Sequence, residues 1–483
     1  MNVKYQEPEN INKKKVFLIN RSRIEDRLDP SIYQESFRYV SNIYPNVKLS
    51  EIAYINPDTS FSQLTDDEYI SFIPMENLNE VYGEVESKDI KYVRDTIGYT
   101  RFQEGDLLWA KITPCMQNGK SAIASNLING LGCGSTEFHI IRTKGNEVLI
   151  EYIHYLLHSR KVLESAKNYF GGAAGQQRVS ASFLKNFFTP LPPIDIQKKI
   201  IQIIENAKKQ KKEKELLVAK NIEGIDDYLL HKLNIQDTIS NKNGQPLKTK
   251  EEQAFFVHYR DIAESRLDPI FYNANIQKFT NCTYSERLSN LALSFTNGFA
   301  VGRQDQVEAE NGILQIRPTN IDNNGRLKYD KNVYVPEMPD IPFIESGVVL
   351  FNNTNSQEWV GKTTYFANED NMKVYTSNHI TAIDVDRSKI LPEYLCAILN
   401  MYQRHKVFYS ICTNWNNQSG IGLDLLKSLH IPLFTNDRKD SLRRQQEIVD
   451  RINSIYQEAD ECISSADCIM AEAKAKVESM IIG

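Results

Sequence analysis

The sequence reads RLDPSIY at Arg27–Tyr33 and RLDPIFY at Arg266–Tyr272, 239 residues further on. In a chain of 483 residues a shared tetrapeptide decides nothing by itself. A constant offset through the neighbouring residues does, because it makes the chain two copies of one unit. The offset holds. Phe17 and Phe256, Arg21 and Arg260, and Glu25 and Glu264 keep the same spacing, and LSEIAYI from Leu49 meets LSNLALS from Leu288. After a small drift in loop length the spacing settles at 242. Gly119-Lys120 then matches Gly361-Lys362, Ser135 matches Ser377, EYIHYLL from Glu151 matches EYLCAIL from Glu393, and Pro190-Leu191 matches Pro432-Leu433.

Each copy ends in a proline turn followed by a helical pattern, as FFTPLPPIDIQKKIIQIIENAKKQ and LHIPLFTNDRKDSLRRQQEIVDRINSIY. Proline suits the entrance of a helix and not its interior. Helices are predicted from about Asp195 to Leu233 and from about Asp440 to Met480, each on the order of 60 Å long at 1.5 Å per residue. The second follows a heptad seam, with Ile448, Ile455, Cys462 and Ile469 in one set of positions and Ile452, Ala459, Ala466 and Ala473 in the other. Three successive alanines require a close partner backbone carrying larger side chains. The first helix offers Ile200, Ile204, Ile222 and Leu229, so a coiled coil within the chain is expected; its KKQKKEKE run (Lys208–Glu215) reads as a solvated face. The fold class is α/β mixed (α+β), with strands at DLLWAKI, STEFHIIRT, GVVLFNN and HITAIDVD and helices at EYIHYLLHSRKVLESA and EYLCAILNMYQRHKVF. The expected organisation is a globular unit over 1–193, a helix over 194–236, a polar linker over 237–250, a second unit over 251–436 and a helix over 437–483.

Composition excludes several classes. With 41% hydrophobic and 25% charged residues the chain is an ordinary globular protein. No apolar run approaches the ~18 residues of a membrane helix. The N-terminus lacks the h-region and small-residue cleavage site of a secretory signal. Seven cysteines without C-x-x-C read as reduced thiols in a cytoplasmic protein. A net charge of −5 disfavours a uniformly basic surface and permits a local one. Catalytic signatures are missing. There is no P-loop, no H-E-x-x-H and no glycine fingerprint opening a helix; after LGCG the chain is expected to continue as a strand through Ser135-Thr136-Glu137. LPPI at Leu191 lacks the amide or acid and the aromatic of a base-holding methyltransferase loop. His154 and His158 share a helix face and read as a polar stripe, and Glu137 and Asp106 as structural carboxylates.

The remaining polar residues sit in loops at matched places. KITPCMQNGK holds Lys111, Thr113, Gln117, Asn118 and Lys120; its counterpart NNTNSQEWVGK holds Asn352, Asn353, Asn355, Gln357 and Lys362. A second pair precedes the proline turn, GGAAGQQR with Gln176, Gln177 and Arg178, and CTNWNNQSG with Asn416, Asn417 and Gln418. Amides suit adenine edges and Arg or Lys suits guanine edges. Any one such loop is most simply a turn, but four at matched positions point to nucleic-acid contact. Lys120 and Lys362 are the expected phosphate contacts.

The layout resembles the specificity subunit of a Type I restriction–modification system over nearly the full chain. The resemblance rests on the doubled unit, the RLDP…Y openings, GDLLWAKI…GKSAIA…GSTEFHIIR…EYIHYLL, and QQR…LKNFFTPLPPIDIQKKI leading into a long helix. The second copy departs, lacking the double proline and inserting residues before Gln445-Gln446. The resemblance implies two target-recognition domains, each reading half of a split, asymmetric site in double-stranded DNA. It implies long helices packed antiparallel as a spacer that docks two modification (methyltransferase) subunits, with restriction (translocase/nuclease) subunits joining them. On this reading the chain is non-catalytic and needs no cofactor, S-adenosylmethionine belonging to the modification subunits. The alternatives are a recognition chain of a Type IIB-like or other defence system, and a coiled-coil scaffold that binds only protein.

Overall fold

In the computed structural model, residues 40–171, 176–235, 284–368, 370–416 and 418–483 are described. The two RLDP openings and the linker stretch 237–250 lie outside them. The chain divides into two compact units. The first takes residues up to Glu213 together with Ser465–Gly483, and the second takes Lys214–Ser464. Each long helix therefore contributes one part to each unit.

The first unit is layered around one antiparallel sheet, with strand order Ala53–Ile55, Phe138–Thr143, Leu107–Ala110 and Ser121–Ile123. Leu107–Ala110 is apolar throughout because both faces of this sheet are covered. Leu107, Trp109 and Ile141 point to one side, into a core with helix α1 (Ile150–His158). Leu108, Phe138 and Ile140 point to the other, onto Ile73 and Phe102 of a second sheet. In that sheet the strands β1 (Tyr69–Ile73) and β2 (Leu131–Gly134) run parallel, flanked by Asp89–Tyr92 and Thr100–Gln103. Two expectations need correction. Ser135–Glu137 is a turn, closed by Phe138 N–H donating to the Ser135 carbonyl at 3.3 Å, and the strand starts only at Phe138. The helix predicted over EYIHYLLHSRKVLESA breaks at Ser159, whose backbone is extended (φ −69°, ψ 142°), and resumes at Arg160–Ala166.

Where α1 begins, a long-range bond ties it to the first long helix, α2 (Ile194–Lys232). Buried Gln197 accepts from the Leu149 N–H at 2.9 Å and donates to the carbonyls of Glu147 (3.0 Å) and Pro192 (2.8 Å). The glutamine of P-L-P-P-x-x-x-Q thus satisfies a backbone donor that a helix start leaves open. Tyr152 on α1 adds a hydroxyl bond to the Pro190 carbonyl at 2.9 Å.

The second unit repeats this plan. Its antiparallel sheet has the order Ala292–Asn297, Ile380–Val385, Val348–Asn352 and Thr363–Phe366, and its parallel pair is β3 (Ile313–Ile316) with β4 (Val374–Thr376). Helix α3 (Pro392–Arg404) takes the place of α1, and its continuation also breaks, at Lys406 (φ 62°) before Val407–Ile411. The tie recurs with Gln445 of the second long helix, α4 (Arg438–Ile482), accepting from the Leu391 N–H at 2.9 Å, and with Tyr394 donating to the Pro432 carbonyl at 2.8 Å. This settles the junction that the sequence left open. Gln445, fully buried, is the counterpart of Gln197, and the inserted residues extend the helix at its N-terminal end.

The long helices pair antiparallel within each unit. In the first, Ile200 and Ile204 near the start of α2 share a core with Ala473, Val477 and Ile481 near the end of α4. In the second, Leu229 and partly buried Ile222 of α2 share one with Ile448, Ile452 and Ile455 of α4. Every expected seam alanine is buried, Ala459 at 2%, Ala466 at 1% and Ala473 at 8% exposure. Next to Ala466, the Lys211 ammonium meets the Asp467 carboxylate at 2.5 Å. The Lys208–Glu215 run is therefore partly engaged along the helix pair. Ala466→Leu should cost about 1–3 kcal/mol by overpacking, read as a lower denaturant midpoint for the full chain; an unchanged midpoint would remove Ala466 from the seam.

A histidine pair distinguishes the first unit. Ser121 Oγ lies 3.1 Å from His154 Nε2 and 3.2 Å from His158 Nδ1. The second unit has Thr363, Cys396 and Asn400 at these positions, with Asn400 Nδ2 donating to the Thr363 carbonyl at 2.8 Å and Thr363 N–H donating to Asn400 Oδ1 at 3.0 Å. Burial, reinforced by Lys208 and Lys474, pushes His158 down to about 4; burial, with His158 and Lys208, holds His154 well below its ordinary value. The unfolded chain, titrating near 6.5, therefore takes up protons first. Stability is full above about pH 6.5 and is lost as pH falls toward about 4, up to about 3 kcal/mol from His158. Denaturant unfolding followed by Trp109 emission should show this loss between pH 7 and 4. A double variant His154→Cys, His158→Asn, copying the second unit, should flatten it; identical profiles would sink the assignment.

Candidate nucleic-acid interface

In the first unit the structure joins the two loops that the sequence singled out. Ile112 bridges Arg178, Thr113 N–H donates to the Gln177 carbonyl at 2.9 Å, and Gln177 N–H donates back to Thr113 Oγ1 at 3.1 Å. Lys111 anchors the pair, its N–H on the Glu137 carbonyl and its carbonyl accepting from Val179, both at 2.9 Å. Arg178 grips the Glu137 carboxylate through Nε (2.9 Å) and Nη2 (2.8 Å). Hydrogen bonding to that guanidinium holds the Glu137 carboxyl below its ordinary range. Arg178 is 44% exposed, and a pair so wet contributes about 0–1 kcal/mol, so an incoming acceptor can compete for it. The side chains of Lys111, Gln117, Asn118, Gln176 and Gln177 have no hydrogen bond or ion pair among the described residues.

The second unit brings the matching loops together in the same register. Thr354-Asn355 pairs with Ser419-Gly420, and Trp415 pairs with Gln418 to close a hairpin. Gly420 replaces Arg178 here. A Cβ at Gly420 would meet the Trp415 ring at 2.5 Å, so the indole lies on the backbone where the first unit carries its arginine. Asn416 and Gln418 are exposed at the tip, and Asn417 lies outside the described residues. The sequence reading passed over the aromatic side chains around them, Trp359, Tyr409 and Trp415, which are 40%, 39% and 50% exposed. Three large apolar rings left in water beside amides are the signal that could have found them.

Other expected contacts are engaged inside the fold. Asn352 is fully buried and donates to the Trp359 carbonyl at 3.2 Å; Asn353 is 8% exposed and donates to Thr381 Oγ1 at 2.9 Å. Asn355 Oδ1 accepts from the Ser356 N–H at 2.8 Å, closing its own turn, and Gln357 donates to the Tyr409 carbonyl at 3.0 Å. The matched lysines repeat one structural bond. Lys120 Nζ donates to the Met75 carbonyl at 3.2 Å, and Lys362 Nζ to the Ile321 carbonyl at 2.6 Å, its pKa lowered by burial. Among the described residues no cluster of His, Cys, Asp or Glu could hold a metal ion, and no helix is long and apolar enough to cross a membrane.

This architecture has relatives. A family model described as the Type I restriction modification DNA specificity domain matches residues 44–219. Over those residues the chain is similar to the Type I DNA specificity domain. It is 39% identical over 157 residues to the EcoEI specificity subunit of Escherichia coli and 40% identical over 154 residues to the EcoAI specificity subunit of the same organism. Each match takes in 32% of this chain and 26% of the relative, so the chain spans about a quarter of the length of the curated relatives it matches. A chain solved in work on complex assembly and conformational transition of the type I R-M system superposes with a TM-score of 0.50 at 15% identity. That likeness covers 91% of this chain and 96% of the other, so the shared fold takes in both units. The joined loops of the first unit lie within the matched residues 44–219. Lys362→Met should lower the stability of the second unit by about 1–3 kcal/mol, the cost of orphaning a half-buried acceptor, measured as a drop in denaturant midpoint; no drop would free Lys362 from its structural role.

Proposed function

We propose that the chain is the DNA-specificity subunit of a Type I restriction–modification complex and that each unit reads one half of a split, asymmetric duplex site. One observation carries this reading. The two units keep their scaffold position for position, including Gln197 and Gln445, Tyr152 and Tyr394, and Lys120 and Lys362, while the exposed residues on the joined loops differ. A protein that reads two different half-sites needs that combination. The chain itself does no chemistry. Two modification subunits carry S-adenosylmethionine and methylate, and restriction subunits complete the complex. The docking place of the modification subunits is the helix pair, where Leu216 (72%), Leu217 (52%) and Ile463 (41%) leave apolar surface in water.

The test is methylation-site mapping by long-read sequencing on the assembled enzyme. Replacing Gln176, Gln177 and Arg178 should relax the first half of the motif only, and replacing Asn416, Asn417 and Gln418 the second half only. A lost bidentate base contact costs about 1–3 kcal/mol at its own position. If either set loosened both halves equally, the assignment of one reader per half would fail. If the wild-type chain gave no salt-dependent DNA binding, the protein-only scaffold would replace this reading.

A further inference from the structure

We propose that Arg317, braced by Gln315, is a specificity-determining residue of the second unit and reads the O6/N7 edge of a guanine in its half-site. The inference rests on the DNA-specificity reading and adds a residue outside the loops that suggested it.

Arg317 follows β3 directly and is held from two sides. Its N–H donates to Oδ1 of fully buried Asn320 at 3.0 Å, which fixes the backbone. Its Nε and Nη2 both donate to Oε1 of Gln315, at 3.0 and 2.8 Å. Gln315 is fully buried and locked in turn, its Nε2 donating to the Phe299 carbonyl at 3.0 Å. One edge of the guanidinium is thus spent on a neutral amide, and the other N–H groups of the fork keep a fixed direction. Among the described residues no carboxylate pairs with Arg317. A partly buried cation without a counter-charge is costly, and a fork oriented by a second side chain suits planar acceptors.

The surroundings are unsatisfied as well. The strand neighbour of Arg317 is Ser377, whose N–H donates to the Ile316 carbonyl at 2.9 Å. Ser377 Oγ and His379 Nδ1 are buried atoms with no hydrogen-bond partner. The corner is continuous with the candidate interface, because Asn353 N–H donates to the His379 carbonyl at 3.0 Å and Asn353 directly precedes the strand Thr354–Asn355 that joins the hairpin.

The first unit differs at this corner. Gly134 pairs with Ile73 there as Thr376 pairs with Ile316 here, so Pro74 stands where the second unit has Arg317. The position of His379 holds Glu137, which grips Arg178, and the position of Arg178 holds Gly420. At this corner the first unit presents Arg178, held by Glu137, and the second presents Arg317, held by Gln315. That is the change expected of two readers built on one scaffold.

The experiment selects duplexes from a random-sequence library with the full chain in its assembled complex, using wild type, Arg317→Lys, Arg317→Gln and Gln315→Leu. The expected result is loss of preference at one G·C position of one half-site, roughly ten- to hundred-fold for Arg317→Gln, with every other position kept. Arg317→Lys should fail to restore it, since a point charge does not replace the fork. Gln315→Leu should weaken the same position to a smaller degree. The retained first half-site reports that each variant is folded. An unchanged motif in Arg317→Gln would overturn the proposal. So would uniform weakening with a flatter salt dependence rescued by lysine, which marks a phosphate clamp. If wild type itself selects no motif, the specificity reading falls first and this inference with it.

Discussion

One carboxamide fixes how each long helix leaves its unit. Gln197 reaches back from the first turn of α2 to the backbone before α1, and Gln445 does the same from α4 to α3. The bonds are buried, so breaking them strands polar groups away from water, at about 1–3 kcal/mol for each. A backbone N–H at a helix start has no partner within its own helix. By giving that donor to a residue of the long helix, the fold links two helix directions through a single group. The proline turn, the sheet beside it and the helix pair all take their orientation from this link.

Much of the architecture is legible in the sequence because its causes are local. Prolines mark the entry to both long helices, and the heptads carry them to within two residues of the observed ends at Ile194–Lys232 and Arg438–Ile482. The apolar runs Leu107–Ala110 and Val348–Phe351 mark strands covered on both faces. The breaks at Ser159 and Lys406 carry no proline or glycine and are imposed by packing. The choice between Gln445 and Gln446 likewise depends on which of them meets Leu391.

The candidate interface is less legible, because an amide that reads a base and an amide that braces a loop are the same residue. Asn352 and Asn416 look alike in sequence; what separates them is burial by segments far along the chain. Thr381 and Asn378 claim Asn353 from 25 or more residues away. Arg317 had the opposite fate. It stands in a strand-like stretch, ILQIRP, where a lone arginine reads as an ordinary edge residue, and only the fold reveals that no carboxylate among the described residues pairs with it. In the same way the cost of substituting a residue is set by its surroundings, as with Ser121 between two histidines and Thr363 beside an asparagine.

The three tryptophans divide unevenly between the units. Trp109 is sealed in the first unit at 1% exposure, its indole N–H on the Leu157 carbonyl at 3.4 Å, whereas Trp359 and Trp415 stand in solvent on the loops of the second. The chain is in effect labelled twice by its own chromophores. Blue-shifted emission that iodide cannot reach belongs to the core of the first unit. Red-shifted, quenchable emission belongs to the candidate reading loops of the second. Shielding of the second signal by added duplex would mark contact at those loops alone, with no label attached and no residue changed.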